Sequence, residues 1–566
     1  MFSDSIYEKA KDKNAATQLP VYWIWVIVGL TALTFANAIG YDFVNWDDDT
    51  YLVKNLAIRD LSWQGIKNLF STPIGEYNIY RPLIYLGYAI EYALWGLNPK
   101  GYHLVSILMH LFNIFLAFRL VKLLTDQINL ALFAALFFAV HPMRVESVSW
   151  ILARVDPQYG LFFLLGLINY VYYLQKSKIN YLVYAFLLFS ASLLSKPSAV
   201  VFPVVLLLVD YFQGRKIDIK MVVEKVPFFL LSLAFGLFTI KVQSGTAGVF
   251  EQYFSILDRF FIACYAITFY VYTVLLPINL SILVPLPTKI DNLLPTAYYF
   301  TPLILVFLTF LVWYFDKHRK FVIFGLGFFL VNIALVIQIV PYGQVIVADR
   351  YTYLSHISLF LLLGYALFEF NKLYPKLRNY VGALVFAFAV VCVGMTFWRN
   401  QIWRNSRTLW SDVIDKNPTY YLPYAGRGGY YYERGNYDAA LADYKKAVSF
   451  KPNNGSVYNN TGLCYYIAKD YKRALENFSV AIQYDTKDAE IFNNLGNAYY
   501  MLQDYKEAIK IYDKVLQLNQ QHASAYHYRG LCHALSGNKM QACADFQQAL
   551  SLGNAESARN IESFCK

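Results

Sequence analysis

Apolar stretches long enough to enter a lipid bilayer recur between residues 21 and 397, and they set what this chain can fold into. A helix crosses the hydrocarbon with roughly 20 mostly apolar residues, and inside lipid every backbone polar group must be satisfied within the segment. The candidate segments are 21–40, 102–124, 128–141, 157–174, 180–194, 198–212, 226–241, 297–315, 321–340, 350–370 and 378–397. Only 15% of the residues are charged, against roughly 25% in an ordinary soluble domain. The 18% aromatic content suits interfacial belts and packed bundles. The first 398 residues therefore read as an all-α, polytopic bundle of about eleven crossings.

Topology follows from the basic loops. Lys176 with Lys178, Arg215 with Lys216 and Lys220, Lys317 with Arg319 and Lys320, and Lys372 with Lys376 and Arg378 should all face the cytoplasm. They share one side only if a twelfth apolar stretch, 258–277, does not cross and is re-entrant or interfacial instead. The N-terminus then lies inside and the C-terminus outside. Lys9, Lys11 and Lys13 precede the first segment, and Ala36-Asn37-Ala38 resembles a cleavage site. The apolar run is long for a signal peptide, so it reads as the first crossing. Most of the +11 net charge precedes residue 399 in short loops, which indicates topology and contact with membrane lipid, not nucleic-acid binding.

The loop 41–101 faces outside on this topology and opens Tyr41-Asp42-Phe43-Val44-Asn45-Trp46-Asp47-Asp48-Asp49-Thr50-Tyr51. Consecutive carboxylates repel, which raises the proton affinity of at least one of them. That tunes a general base or makes a cation site; a divalent ion is compatible with it, and no other cofactor is indicated. A solvated turn or a helix cap would also use acids, but it would not need the surrounding aromatics. More ionisable groups end crossings on the same side: His141, Arg144 and Glu146, then Arg154 and Asp156, Lys196, and Asp349 with Arg350. Singly, such groups pair or snorkel; together, at membrane depth, they indicate a lined cavity. An acidic loop above a rim of Arg and Lys can hold a lipid phosphate while a carboxylate deprotonates an acceptor.

After residue 399 the pattern changes. Tyr424, Tyr458, Phe492 and Tyr526 are spaced by 34. So are Gly428, Gly462, Gly496 and Gly530; Ala440, Ala474, Ala508 and Ala542; and Tyr444, Phe478, Tyr512 and Phe546. This is the tetratricopeptide (TPR) period, with small residues where paired helices touch and aromatics that fill the gap. The domain 399–566 is thus an α-solenoid. It comprises a partial repeat at 404–418, four repeats over about 421–555 and a capping helix at 555–566. The last crossing would run almost directly into it, without a flexible linker. Asn459 and Asn493 share a register that His527 continues, and Asn460 and Asn494 share the next, continued by Tyr528. These positions suit an extended polypeptide, and ordinary solvated helix faces would read the same. The six cysteines show no metal spacing; Cys464 and Cys532 are two repeats apart, too far to bridge, whereas Cys532, Cys543 and Cys565 are close enough in sequence for one.

The two halves together resemble the transmembrane-and-TPR O-mannosyltransferases, the TMTC family. The residues that carry the resemblance are Phe43-Val44-Asn45-Trp46-Asp47-Asp48 with Asn55, His141-Pro142, Glu146, Arg154-Val155-Asp156 and Arg350-Tyr351-Thr352-Tyr353-Leu354. The order of crossings and then repeats is also similar. The resemblance implies a GT-C glycosyltransferase that takes a sugar, mannose in that family, from a polyprenyl-phosphate donor to a protein hydroxyl on the extracytoplasmic side. It aligns Asp47 with the first acid of the family pair, and so favours Asp47 over Asp48 as base. Arg154 and Arg350 would hold the donor phosphate, with His141, Arg144 and Lys196 as second candidates. Asp49, Glu146, Asp156 and Asp349 are further acidic candidates, and the TPR groove would hold the acceptor. Two other classes share this layout: an O-antigen-ligase-like enzyme using a pyrophosphate carrier, and a non-enzymatic membrane scaffold. The composition, rich in Lys, Asn, Ile and Tyr, leans bacterial. The outer side is then the periplasm, or the lumen of the endoplasmic reticulum in a eukaryote.

Overall fold

The computed structural model describes residues 19–73, 79–243, 253–339 and 345–565. The lysines before the first segment lie outside these. Regular structure among the described residues is helical, with two isolated β-bridges, Pro285 to Val345 and Ile290 to Leu293. The chain divides into two compact units, residues 1–408 and 409–566.

In the first unit each expected apolar segment contains a helix, including the twelfth, although the helix in 321–340 ends at Ile333 and the one in 258–277 at Tyr272. Five helical stretches are long and apolar enough to cross a membrane alone: Trp23–Gly40, Pro99–Thr125, Ile219–Val242, Ala297–Tyr314 and Pro375–Arg404. A sixth counts if Ile128–Val140 and Pro142–Ser149, bent by 61°, form one broken span. Ile179–Ser195 and Pro197–Gln213 are shorter apolar helices. Local chemistry sets the breaks. Asn98 caps Pro99–Thr125 with Pro at its first turn, and Asp126 ends it in the left-handed region. Ser177 does the same for Val155–Lys176, so that helix folds back on Ile179–Ser195 as a hairpin.

Helix Ile128–Val140 is apolar on all faces beyond Asn129 in its first turn, as suits a helix at the centre of a bundle. It packs against Trp23–Phe35, Pro99–Thr125, Ser355–Leu373 and Arg378–Asn400. Thr396 donates to the Val140 carbonyl at 2.6 Å and Ser149 to Asn400 at 2.5 Å, which fixes the last long helix against the bend that follows residue 140. At the other end of Val155–Lys176, Tyr170 donates to Asp210 at 2.7 Å, Lys225 pairs with Asp210, and Arg215 meets Glu224 at 2.7 Å. This network closes three helix ends.

Residues 258–277 begin as helix Ile256–Tyr272, started by a capping box between Ser255 and Asp258. The chain then turns back, and Lys289 pairs with Asp258 at 2.8 Å. Residue 289 therefore stands level with the helix start. Tyr270 receives the Ala348 N–H at 3.1 Å, and His356 meets the Tyr270 carbonyl at 3.1 Å. This helix thus braces the turn that carries Arg350.

The second unit comprises four helix pairs, from Tyr421–Glu433 with Tyr437–Phe450 to Ala523–Leu535 with Lys539–Ser551, and then Glu556–Phe564. A Cβ added at Gly428, Gly462, Gly496 or Gly530 would lie 2.6 to 2.8 Å from the ring of Tyr444, Phe478, Tyr512 or Phe546. The glycine is needed for close approach. Trp410 packs against Gly426 in the same manner, ahead of the first full repeat. Cys543 and Cys565 form a disulfide that ties the final helix to the last repeat, while Cys464 and Cys532 are free and buried. We predict that Gly462→Ala destabilises its repeat. The helix gains about 1 kcal/mol of propensity, but displacing the buried Phe478 ring costs about 1–3 kcal/mol. Hydrogen exchange of the full-length protein should show faster exchange confined to residues near 455–484; unchanged protection would contradict this packing.

Candidate active site

The acidic loop is held by its own backbone and by Trp150. The Val44 N–H donates to Asp48 Oδ2 at 3.0 Å, and the Trp150 indole N–H donates to Asp48 Oδ1 at 2.9 Å. Asp42 N–H reaches the Arg404 carbonyl at 3.0 Å, and Asn45 N–H reaches Ser406 Oγ at 2.8 Å. Asn55 accepts from Ala57 N–H at 3.0 Å and so caps the short turn Leu56–Arg59. Beneath the loop, Tyr51, Leu52, Tyr85, Tyr88, Tyr102, Ile151 and Val155 form a buried cluster. These aromatics are the floor of the loop and explain why it is not a solvated turn. Asp48 is 1% exposed, whereas Asp47 and Asp49 are half-buried.

The basic side meets the acids at Asp47. Arg350 forms an ion pair with Glu146, and its backbone N–H donates to the same carboxylate at 3.1 Å. Its guanidinium lies over the rings of Trp150, at 5.4 Å, and Tyr351, at 5.0 Å. The side chain keeps 20% exposure while Glu146 keeps 1%, so the arginine is the more accessible partner of the pair. The turn is pinned again where Asp349 meets Arg399 at 2.6 Å. Lys196 pairs with Asp156 at 2.5 Å and lies near the rings of Tyr159 and Tyr351.

Three expected phosphate ligands have other tasks. Arg144 is fully buried and donates to the carbonyls of Thr352 and Tyr353, at 3.0 and 2.8 Å, and to Thr352 Oγ1 at 2.7 Å. It holds the Arg350 turn from below. Arg154 is fully buried, pairs with Glu91 and lies 4.3 Å over the Tyr88 ring. Gly87 leaves it room, since a Cβ there would stand 3.2 Å from its guanidinium. His141 is buried and caps the turn Pro142–Arg144 by accepting from Met143 N–H at 3.4 Å. The sequence marks these residues as functional because buried ionisable groups at membrane depth need partners; it does not reveal that the partners are internal.

Sequence reasoning overlooked Arg81, Glu91, Trp150 and Arg399. Arg81 stands before helix Pro82–Trp95, inside a loop read without helices, and together with Arg350 exerts an attractive field on Asp47. Burial raises the proton affinity of Asp47, and these two arginines partly oppose it. Burial pushes Asp48 up to about 7; the Val44 and Trp150 hydrogen bonds oppose the rise, and the charges of Asp47 and Asp49 add to it. Among the described residues, no three His, Cys, Asp or Glu side chains converge as a metal site.

In the second unit, Asn494 donates to Asn459 at 3.0 Å across adjacent repeats. Asn460 and Tyr528 are half-buried, and Tyr528 meets Tyr500 edge-on at 5.5 Å and stacks on Tyr512 at 6.3 Å. Asn493 is 6% exposed and His527 4%. His527 bonds to Ser557 at 2.8 Å, beneath the capping helix, so it is not open to an acceptor as its register suggested.

Fold and site together define an integral membrane protein with a half-buried acid in the field of a partly exposed arginine in one unit and a TPR solenoid in the other. Residues 82–242 match the family described as Dolichyl-phosphate-mannose-protein mannosyltransferase. Residues 428–467, 462–503 and 489–522 match tetratricopeptide repeats. Among curated relatives, Protein O-mannosyl-transferase tmtc2 of Xenopus laevis is 35% identical over 147 residues, 25% of this chain and 18% of the relative. Protein O-mannosyl-transferase TMTC4 of Homo sapiens is 32% identical over 183 residues, 27% of this chain and 23% of the relative. In both, the match spans less than a quarter of the relative's length. Among solved structures, MamA is 21% identical with a TM-score of 0.25, covering 27% of this chain and 89% of that one. YrrB, a TPR protein with an unusual peptide-binding site, is 19% identical with a TM-score of 0.26, covering 28% of this chain and 81% of that one. The chain is similar to the TMTC proteins: a segment that matches the mannosyltransferase model precedes TPR repeats, and the similar curated relatives are named TMTC protein O-mannosyl-transferases.

The Asp48 carboxyl gives a pH signature. Its folded-state pKa is raised, so between about pH 4 and about pH 7 the folded protein holds a proton that the unfolded chain releases, and stability falls as pH rises. Thermal unfolding in detergent should show wild type losing stability across that window relative to Asp48→Asn, with no further divergence above it. Parallel curves would refute the burial of this carboxyl.

Proposed function

We infer that this chain is a membrane glycosyltransferase of the GT-C kind. It moves a sugar, mannose by its relatives, from a polyprenyl-phosphate donor to a protein hydroxyl on the extracytoplasmic side, the periplasm in a bacterium. The observation that carries this reading is the half-buried Asp47 in the field of Arg350 and Arg81, beside a neighbour, Asp48, that is fully engaged.

Asp47 takes the proton from the acceptor hydroxyl as its oxygen attacks the anomeric carbon. The bond from that carbon to the phosphate oxygen breaks, and the electron pair leaves with the polyprenyl phosphate. The partly exposed Arg350 stabilises the developing charge, the kind of term that dominates when the leaving group is anionic. Asp48 has both oxygens bonded and is placed to hold the loop, not to reach an acceptor. A base must stand within hydrogen-bond reach of its proton, which favours Asp47. Lys196 and Asp156 border this region as a closed pair. The TPR array recruits the acceptor polypeptide through the half-buried Asn460, Asn494 and Tyr528, with Asn459 bonded to Asn494.

Asp47→Asn should lower transfer in donor-loaded membranes by roughly 10²–10⁴-fold. The wild-type rate should rise with pH through a group titrating above the ordinary carboxylate range, because burial raises Asp47. Wild-type transfer by Asp47→Asn would remove this residue as base.

A further inference from the structure

Trp150 lies between the acid and the arginine, and its two chemical faces are both in use. The indole N–H is a donor with no acceptor counterpart, and it is aimed at Asp48 Oδ1 at 2.9 Å. The ring face carries the Arg350 guanidinium at 5.4 Å. The ring itself cannot drift, because Trp403 stacks on it at 5.5 Å and 12° and Trp46 lies 6.0 Å away. The next residue is fixed too: Tyr88 donates to the Ile151 carbonyl at 2.9 Å. Trp150 is 5% exposed and follows Val145–Ser149, the short helix that supplies Glu146 to Arg350. One segment therefore supplies the ion-pair partner and the aromatic face for the cation, and the hydrogen bond for the acid loop.

We propose that Trp150 is a positioning residue that sets the distance between the general base and the phosphate-binding arginine, holding the acid loop by its N–H and Arg350 by its ring. The proposal rests on the glycosyltransferase reading for its kinetic consequences, but not for its structural ones. A charge-assisted hydrogen bond to a buried carboxylate is among the stronger polar contacts, and tryptophan is the best cation–π partner for arginine. Transition-state geometry tolerates little misplacement, so looseness at Trp150 should reach Asp47 through its neighbour Asp48 and reach the donor phosphate through Arg350. The charged and titratable groups around Asp48 are Asp47 and Asp49 on its own loop and Tyr88 across from it, with Arg350 beyond the indole.

The test uses the full-length protein in detergent with polyprenyl-phosphate mannose as donor, comparing Trp150→Phe, Trp150→Ala, Asp48→Asn and the Trp150→Phe/Asp48→Asn double variant. Phe keeps a ring face and loses the N–H. Losing the donor to the ionised form raises the proton affinity of Asp48, so the fall of thermal stability with pH should move upward in Trp150→Phe. Its kcat should drop roughly tenfold to a hundredfold, with donor KM little changed. Trp150→Ala should raise donor KM as well, since Arg350 loses its seat. The double variant should lose no more kcat than Asp48→Asn, because both act through one contact. Wild-type kcat and an unmoved stability profile in Trp150→Phe, or kcat losses that multiply in the double variant, would overturn the proposal. If Trp150→Phe does not fold, Asp48→Asn must reproduce the kcat loss at unchanged donor KM, and wild-type kcat there overturns it equally. If the wild type transfers nothing, the functional reading fails, whereas the stability profile of Trp150→Phe still decides whether the indole holds Asp48.

Discussion

The buried ion pair between Glu146 and Arg350 is the contact on which the first unit's polar architecture depends. Glu146 is 1% exposed, and a carboxylate removed from water is tolerated only with a cation and further hydrogen bonds. Arg350 supplies both, through its guanidinium and its own backbone N–H. Removing one partner of such a pair typically costs about 3–5 kcal/mol, because the other charge stays behind. The pair also decides where the Asp349–Thr352 turn sits, and Arg144 and Arg399 complete its fixation from two more directions. An arginine held this firmly still leaves a fifth of its side chain exposed. Rigid mounting with part of the side chain accessible suits an anion site.

Around that pair, burial separates the polar residues into two kinds. Arg144, Arg154, His141 and Asp48 have almost no exposure, and their contacts are internal. Asp47 and Arg350 retain access. In an apolar bundle the internal kind can outnumber the reactive kind, since each helix break exposes backbone groups that a side chain must satisfy. Arg144, bound to two carbonyls of the Arg350 turn, is the clearest instance.

The apolar helices were legible in the sequence because length and hydropathy alone define them, and the solenoid was legible because its glycine and aromatic spacings repeat four times. The acid loop was legible as a place, and Asp47 and Arg350 do converge across some 300 residues of chain. What the sequence withheld was burial. Arg144 and Arg154 look alike to Arg350 in one dimension, and only packing shows that two are enclosed by Thr352, Tyr353, Glu91 and Tyr88. His527 continues an asparagine register, yet the final helix covers it through Ser557. Trp150 and Arg81 escaped notice because an aromatic at a helix end and an arginine in a polar loop are common in membrane proteins, and neither has a spacing that betrays its partner.

The most direct test of the account is the lipid that travels with the protein. Mass spectrometry of detergent-purified wild type, beside Arg350→Lys, which keeps the charge opposite Glu146 but loses the planar fork, reads the donor and its phosphate site together. The wild type should carry a polyprenyl-phosphate hexose, and the variant should be depleted of it. A pyrophosphate-linked glycan, or no carrier lipid in either sample, would contradict the account.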